Sequence, residues 1–309
     1  SIYGNWVPAG TGNRTGSGTI IFNGPVNQIF AGTTNASFNN VTFNGGGAGI
    51  IQGNTSVSGN LTITNNTTVS AANYSVGING DFSVDGGSTY THTANTTSFG
   101  GTTAQTITNT GTATFNAITF SNGGALAKTI TGTYTVNGLI TINAGSTVDG
   151  AAIMTIAGGI RVDGTCNLSG QLTLTGGTIY TNSVTNALTL GTALININGN
   201  VWLGYNAPAT SCQVTVGNHV NINTNYLVII NNTSLIGQAG YNFTAAAGTN
   251  LYIRGSNNFP TGFDNYNFDV TSWTRYDQNI AQTVRGNITY GNLLIASASP
   301  SVVTGVTKT

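Results

Sequence analysis

Along most of the chain, apolar residues alternate with small polar ones. The segments 57-VSGNLTI-63, 80-GDFSVDG-86, 136-VNGLITI-142 and 199-GNVWL-203 share the pattern Gly-x-apolar-x-apolar. Such alternation places successive side chains on opposite faces of a β-strand. It predicts Leu61, Ile63, Phe82, Val84, Phe115, Ile118, Phe120, Ile140 and Ile142 on a core face, and Thr62, Ser83, Thr119 and Thr141 facing out. Gly and Asn between the strands supply corners with positive φ.

The strands recur on two scales. Without a gap, 22-FNGPVNQIFAGTTNASFNNVTF-43 aligns with 99-FGGTTAQTITNTGTATFNAITF-120, and Phe22, Gly24, Gln28, Phe38 and Phe43 return as Phe99, Gly101, Gln105, Phe115 and Phe120. A shorter copy begins at 276-YDQNIAQTVRGNITYGNLLI-295. Within this repeat of about 78 residues, glycines such as Gly59 and Gly80 stand 21 apart. Each repeat therefore reads as about four units of roughly 20 residues, each closing one coil of an all-β parallel β-helix, or β-solenoid. The chain is expected to form one continuous solenoid over 1–309. Its sub-repeats are 4–79, 80–164, a divergent 165–253, and 254–309, cut short at its end. Immunoglobulin-like sandwiches are the competing all-β reading, but they call for antiparallel hairpins at irregular spacing.

Composition sharpens this picture by removing function classes. Charged residues make up 5% of the 309 and the formal net charge is zero, so electrostatic binding to nucleic acid has nothing to run on. Hydrophobic residues at 39% and aromatics at 9% argue against disorder. No run approaches the ~20 apolar residues of a membrane helix. Cys166 and Cys212 are read as two small buried thiols, with a bridge as the alternative. The chain begins Ser1-Ile2-Tyr3 and stops at 302-VVTGVTKT-309, where a further coil should start. It is read as a fragment of a longer protein.

The wording of the repeats resembles that of long secreted, adhesin-like surface proteins of Bacteroidetes-type bacteria. The segments that carry the likeness are 99-FGGTTAQTI-107, 114-TFNAITFSN-122, 136-VNGLITI-142 and 57-VSGNLTI-63. The segment 254-RGSNNFPTGFDNYNF-268 also looks like an inter-repeat passage of such proteins. The resemblance covers about two thirds of the chain; 165–250 matches only in style. It implies export by the type IX secretion system and a link to gliding or surface attachment.

Catalysis is the rival reading, because parallel β-helices include polysaccharide lyases and hydrolases. Glycoside hydrolysis needs two carboxyls ~5–9.5 Å apart. All seven acidic residues are Asp; Asp85, Asp149 and Asp163 precede Gly and are read as turn residues. Asp264, Asp269, Arg275 and Asp277, flanked by Arg254 and Arg285, form the densest charged cluster. They are candidates for a small groove or a Ca²⁺ site, against the plainer expectation of solvated loop charges. Trp202 lies between Val201 and Leu203, so it faces out if those two face in, which makes it a candidate contact residue. Trp6 is read as core. His92 and His219 are read as surface or turn residues, and neither metal nor cofactor is expected.

The expected function is that of a non-catalytic structural and adhesive segment of an extracellular stalk or filament on a bacterial cell surface. Its expected partners are further repeats of the same chain, in end-to-end or lateral contacts, together with surface glycans and secretion or motility machinery. The alternatives are a polysaccharide-binding or polysaccharide-degrading β-helix and, more remotely, an ice-binding solenoid. Thr-x-Thr pairs such as Thr112/Thr114 and Thr133/Thr135 fall at uneven spacing, which counts against one flat ice-binding wall.

Overall fold

The computed structural model describes residues 1–6, 12–13, 17–30, 36–121, 126–182, 187–204, 212–230, 233–278, 280 and 282–296. The expected coil start at 302–309, with Lys308, lies outside them, as do Arg14 and Tyr205. Among the described residues every regular element is a strand, and the paired strands run parallel. The fold is a parallel β-solenoid; the antiparallel hairpins of a sandwich are not found among the described residues. The chain divides into two compact units, Ser1–Met154 and Thr155–Thr309.

In the first unit each coil has three walls. The strands Asn40–Phe43, Ala48–Ile51 and Thr55–Val57 make one coil, and Leu61–Ile63, Thr68–Ser70 and Val76–Ile78 make the next. Register along the first wall runs Phe22, Phe43, Ile63, Val84. Along the third wall Phe38, Val57, Ile78, Phe99, Phe120 and Ile142 stack in one column. Each is at most 1% exposed, so every coil adds ~1.5–3 kcal/mol of burial per large side chain. The inward set expected from alternation is buried throughout, and Asn65, Asn66 and Asn95 take the positive φ expected at corners.

The repeat and the coil do not divide evenly. Val84 stands three coils above Phe22 on the first wall, and Phe99 is two walls further on, at the end of Thr96–Phe99. The 77-residue step from Phe22 to Phe99 is therefore three and two-thirds coils, not the four expected. Equivalent residues consequently lie on different walls but keep the same neighbours. Phe22 stacks on Phe43 with centroids 5.0 Å apart, and Phe99 stacks on Phe120 at 5.6 Å.

Each copy of the repeat carries one buried glutamine. Gln105 Oε1 accepts from the Gly101 amide (3.2 Å), while its Nε2 donates to Ile78 O (3.1 Å) and Gly80 O (2.6 Å) of the coil below. Gln28 makes the same three bonds, to Gly24 N, Ile2 O and Gly4 O. In the second unit Gln282 makes them to Gln278 N, Ile253 O and Gly255 O. Each glutamine thus clips a four-residue corner to an Ile-x-Gly segment one coil down. A Cβ on Gly101 would overlap the Asn79 carbonyl oxygen, which is why that corner carries glycine. Lys128 is also buried, and its ammonium donates to two neutral acceptors, Gln105 Oε1 (2.8 Å) and Gly101 O (3.2 Å). Burial pushes its pKa down.

In the second unit the coils lengthen. Along one column Leu203, Ile229, Ile253 and Tyr276 pair in turn, at steps of 26, 24 and 23 residues. The core is again apolar, with Val201, Leu227, Ile229, Leu251 and Ile253 buried.

Candidate functional site

One wall of the second unit departs from the small-residue surface seen elsewhere. It is built by the strands Leu194–Leu203, Tyr226–Ile230, Asn250–Arg254 and Trp273–Tyr276. Val201 and Leu203 point in and Trp202 out, as expected. Register places Asn200, Tyr226, Asn250 and Trp273 in one outward column, and Trp202, Val228, Tyr252 and Arg275 in the next. The large aromatics therefore alternate between two columns on four successive coils. Trp202 meets Tyr226 edge-on at 6.3 Å, and Tyr226 meets Tyr252 at 5.6 Å. Val228, at an outward position between Trp202 and Tyr252 in its column, is only 1% exposed.

Two arginines lie on these rings. The Arg254 guanidinium sits 5.5 Å from the Trp202 centroid and 5.1 Å from that of Tyr252. It is pinned by a two-pronged pair with Asp277, Nε to Oδ1 at 3.0 Å and Nη2 to Oδ2 at 2.8 Å. That hydrogen-bonded pair, outweighing partial burial, raises the Arg254 pKa further. Arg275 lies 5.5 Å from Tyr252 and 5.2 Å from Trp273, with its Nε donating to Asn250 Oδ1 at 2.8 Å. Its Nη groups meet no hydrogen-bond acceptor among the described residues.

The expected acidic–basic cluster is only partly assembled. Asp264 accepts from the Gly240 amide (2.9 Å), and Asp269 accepts from the Thr271 amide (2.8 Å) and hydroxyl (2.7 Å). Those two bonds hold the Asp269 carboxyl below the usual range. Both carboxylates tie down corners, whereas Arg275 and Asp277 belong to the aromatic wall. Among the described residues no three His, Cys, Asp or Glu side chains are grouped to hold a metal ion.

Asp81, Asp85 and Asp163 are engaged too. Asp81 accepts from Thr106 N and Asp85 from Asn65 N and Ser88 Oγ. Asp163 pairs with Arg161, Nε to Oδ2 at 2.6 Å, and accepts from Thr181 Oγ1 and Asn182 N. Burial pushes its pKa up, but these donors outweigh burial and leave it lowered. The expectation that His92 is a surface or turn residue is overturned. It is 0% exposed, with Nδ1 2.8 Å from Thr97 Oγ1 beside the buried Tyr90, and burial lowers its pKa. His219 is half-buried and accepts from the Asn242 amide. Trp6 is half-buried against Phe38. Cys166 and Cys212 are buried and remain thiols.

The hydroxyls of the first unit are better ordered than their numbering suggests. Thr68, Thr89 and Thr112 share one outward column, and Ser70, Thr91, Thr114 and Thr135 share the next. Their numbering is uneven because Thr106/Thr108 and Thr129/Thr131 lie on the first wall, whereas Thr112, Thr114 and Thr135 lie on the second.

No helix among the described residues is long and apolar enough to cross a membrane. Compared with known proteins, the chain matches no family model, no curated protein and no solved structure.

Proposed function

We propose that the chain is a non-catalytic structural and adhesive segment of a long extracellular β-solenoid stalk or filament on a bacterial cell surface. The observation that carries this reading is the use made of the acids. The carboxylates of Asp81, Asp85, Asp163, Asp264, Asp269 and Asp277 accept backbone amides or pair with arginine, so they stiffen coils instead of converging on a substrate bond. Side-chain bonds also join one coil to the next. Asn40 Oδ1 accepts from Asn60 N, Asn60 Oδ1 from Asp81 N, and Asp81 Oδ1 from Thr106 N. Such an array suits a load-bearing rod in which each coil leans on its neighbours. Further repeats of the same chain, secretion or motility machinery and surface glycans are its expected partners.

Incubating the purified chain with neutral and acidic polysaccharides should release no reducing ends and no unsaturated uronates. Turnover that disappears in an Asp264, Asp269 or Asp277 variant would overturn the scaffold reading. Immunogold labelling of intact producing cells should place the chain outside the envelope. The hydroxyl columns favour a second reading, an ice-binding wall, tested by thermal hysteresis of the intact chain and its loss in Thr91→Val.

A further inference from the structure

We propose that the wall carrying Trp202, Tyr226, Tyr252 and Trp273 binds an anionic, carboxylate-bearing polysaccharide, with Arg275 reading the carboxylate. This deepens the adhesive part of the function proposed above. Failure to bind would leave the scaffold role standing, whereas turnover would remove the scaffold role itself.

Four observations support the site. Outward aromatics are costly to leave in water, yet this wall sets them on four successive coils in alternating columns. Trp202, Tyr226 and Tyr252 touch in turn, edge to face, and are not isolated surface rings. Arg254 and Arg275 lie against Trp202, Tyr252 and Trp273, so what the wall offers the C–H groups of a pyranose is the ring area left uncovered, held in fixed geometry. The spacing fits as well: coils stack at ~4.8 Å, close to the length of one sugar unit along an extended glycan. Within either column a ring recurs on every second coil, so a run of a few sugars lying across both columns would meet one ring per coil.

The charges decide the class of glycan. Asp277 neutralises Arg254 and holds it against Trp202 and Tyr252. Arg275 is held by Asn250 and by two rings, but no acidic side chain pairs with it among the described residues. The wall thus presents one oriented guanidinium whose Nη edge is open, the geometry that takes a carboxylate through parallel N–H bonds. Asp264 and Asp269, the other acids on neighbouring corners, already accept backbone amides. Exposed Asn200 stands in the Tyr226 column and its side chain makes no hydrogen bond among the described residues, so its carboxamide is available to sugar hydroxyls. A single open cation is too few for a nucleic-acid backbone, whose binding needs several phosphates neutralised together. A polymer with spaced carboxylates and apolar ring faces matches both features.

Affinity electrophoresis of the intact chain in gels containing polygalacturonate, with neutral dextran as the comparison, tests the proposal. Polygalacturonate should retard the chain and dextran should not. Arg275→Gln should weaken retardation at least tenfold, and Trp273→Ala severalfold, with circular dichroism unchanged. Arg275→Lys keeps the charge but loses the planar fork, so it should fall between wild type and Arg275→Gln. Equal retardation by dextran, no retardation by polygalacturonate, or wild-type behaviour of a folded Arg275→Gln chain would overturn the assignment.

Discussion

Replacing Gln105 with alanine should open one seam of the first unit and leave its other seams closed. The side chain makes bonds to Gly101 N, Ile78 O and Gly80 O, and it accepts a fourth from the Lys128 ammonium. At about 1 kcal/mol net each, four bonds are worth ~4 kcal/mol. Leaving a buried ammonium with Gly101 O as its one remaining acceptor adds to that, so a loss of about 4–6 kcal/mol is expected. Repeat arrays lose stability locally, so hydrogen exchange read peptide by peptide is the suitable assay. Protection should fall across 76–84 and 99–136 and stay near wild type across 40–51. Lys128→Met should be near neutral in the wild-type chain, because an apolar group replaces a buried charge, and it should restore part of the loss in the Gln105→Ala chain. A cost below about 1 kcal/mol, or a uniform fall across the unit, would refute the clip.

Other perturbations probe separate links. Phe99→Ala removes a ring stacked on Phe120 and packed against Phe82 and Phe115, and should cost ~3–5 kcal/mol in local exchange. Asp163→Asn should cost about 1–3 kcal/mol at neutral pH by weakening charge-assisted bonds. Because the folded carboxyl is lowered, this stability is complete above the unfolded value near ~4. It is lost as pH falls through the folded value, so wild type and variant should converge in acid melts. Neither Cys166 nor Cys212 should react with a thiol reagent in the native chain, since both are buried and burial raises the Cys212 pKa; fast labelling before unfolding would contradict their placement.

Alternation was enough to read the strands, the inward faces and the outward Trp202, because period two is a direct consequence of strand geometry. The same alternation places His92 on the inward face. In Thr89-Tyr90-Thr91-His92 the positions of Tyr90 and His92 share a face, and both are buried; polarity points the other way, and the Thr97 hydroxyl meets one of the two ring nitrogens, Nδ1. Gln28, Gln105 and Gln282 of the shortened third copy align in sequence, yet nothing local reveals that the amide reaches back a whole coil. The stretch 165–253 kept its strands but hid its period, since its coil-to-coil steps vary from 21 to 26 residues. The pairings Arg254–Asp277 and Arg275–Asn250 join residues 23 and 25 apart, and only the lengthened coils set such residues side by side. That is why the charged cluster of the sequence resolved into corners and an aromatic wall.

The one-third-coil shortfall of the repeat has a consequence for anything such repeats display. A motif copied every 77 residues does not line up along one side; each copy is turned by one wall from the last, and three copies bring it back to where it began. An array of them would show its groups in every direction around the axis, so contact would not depend on which way the shaft happened to be rolled.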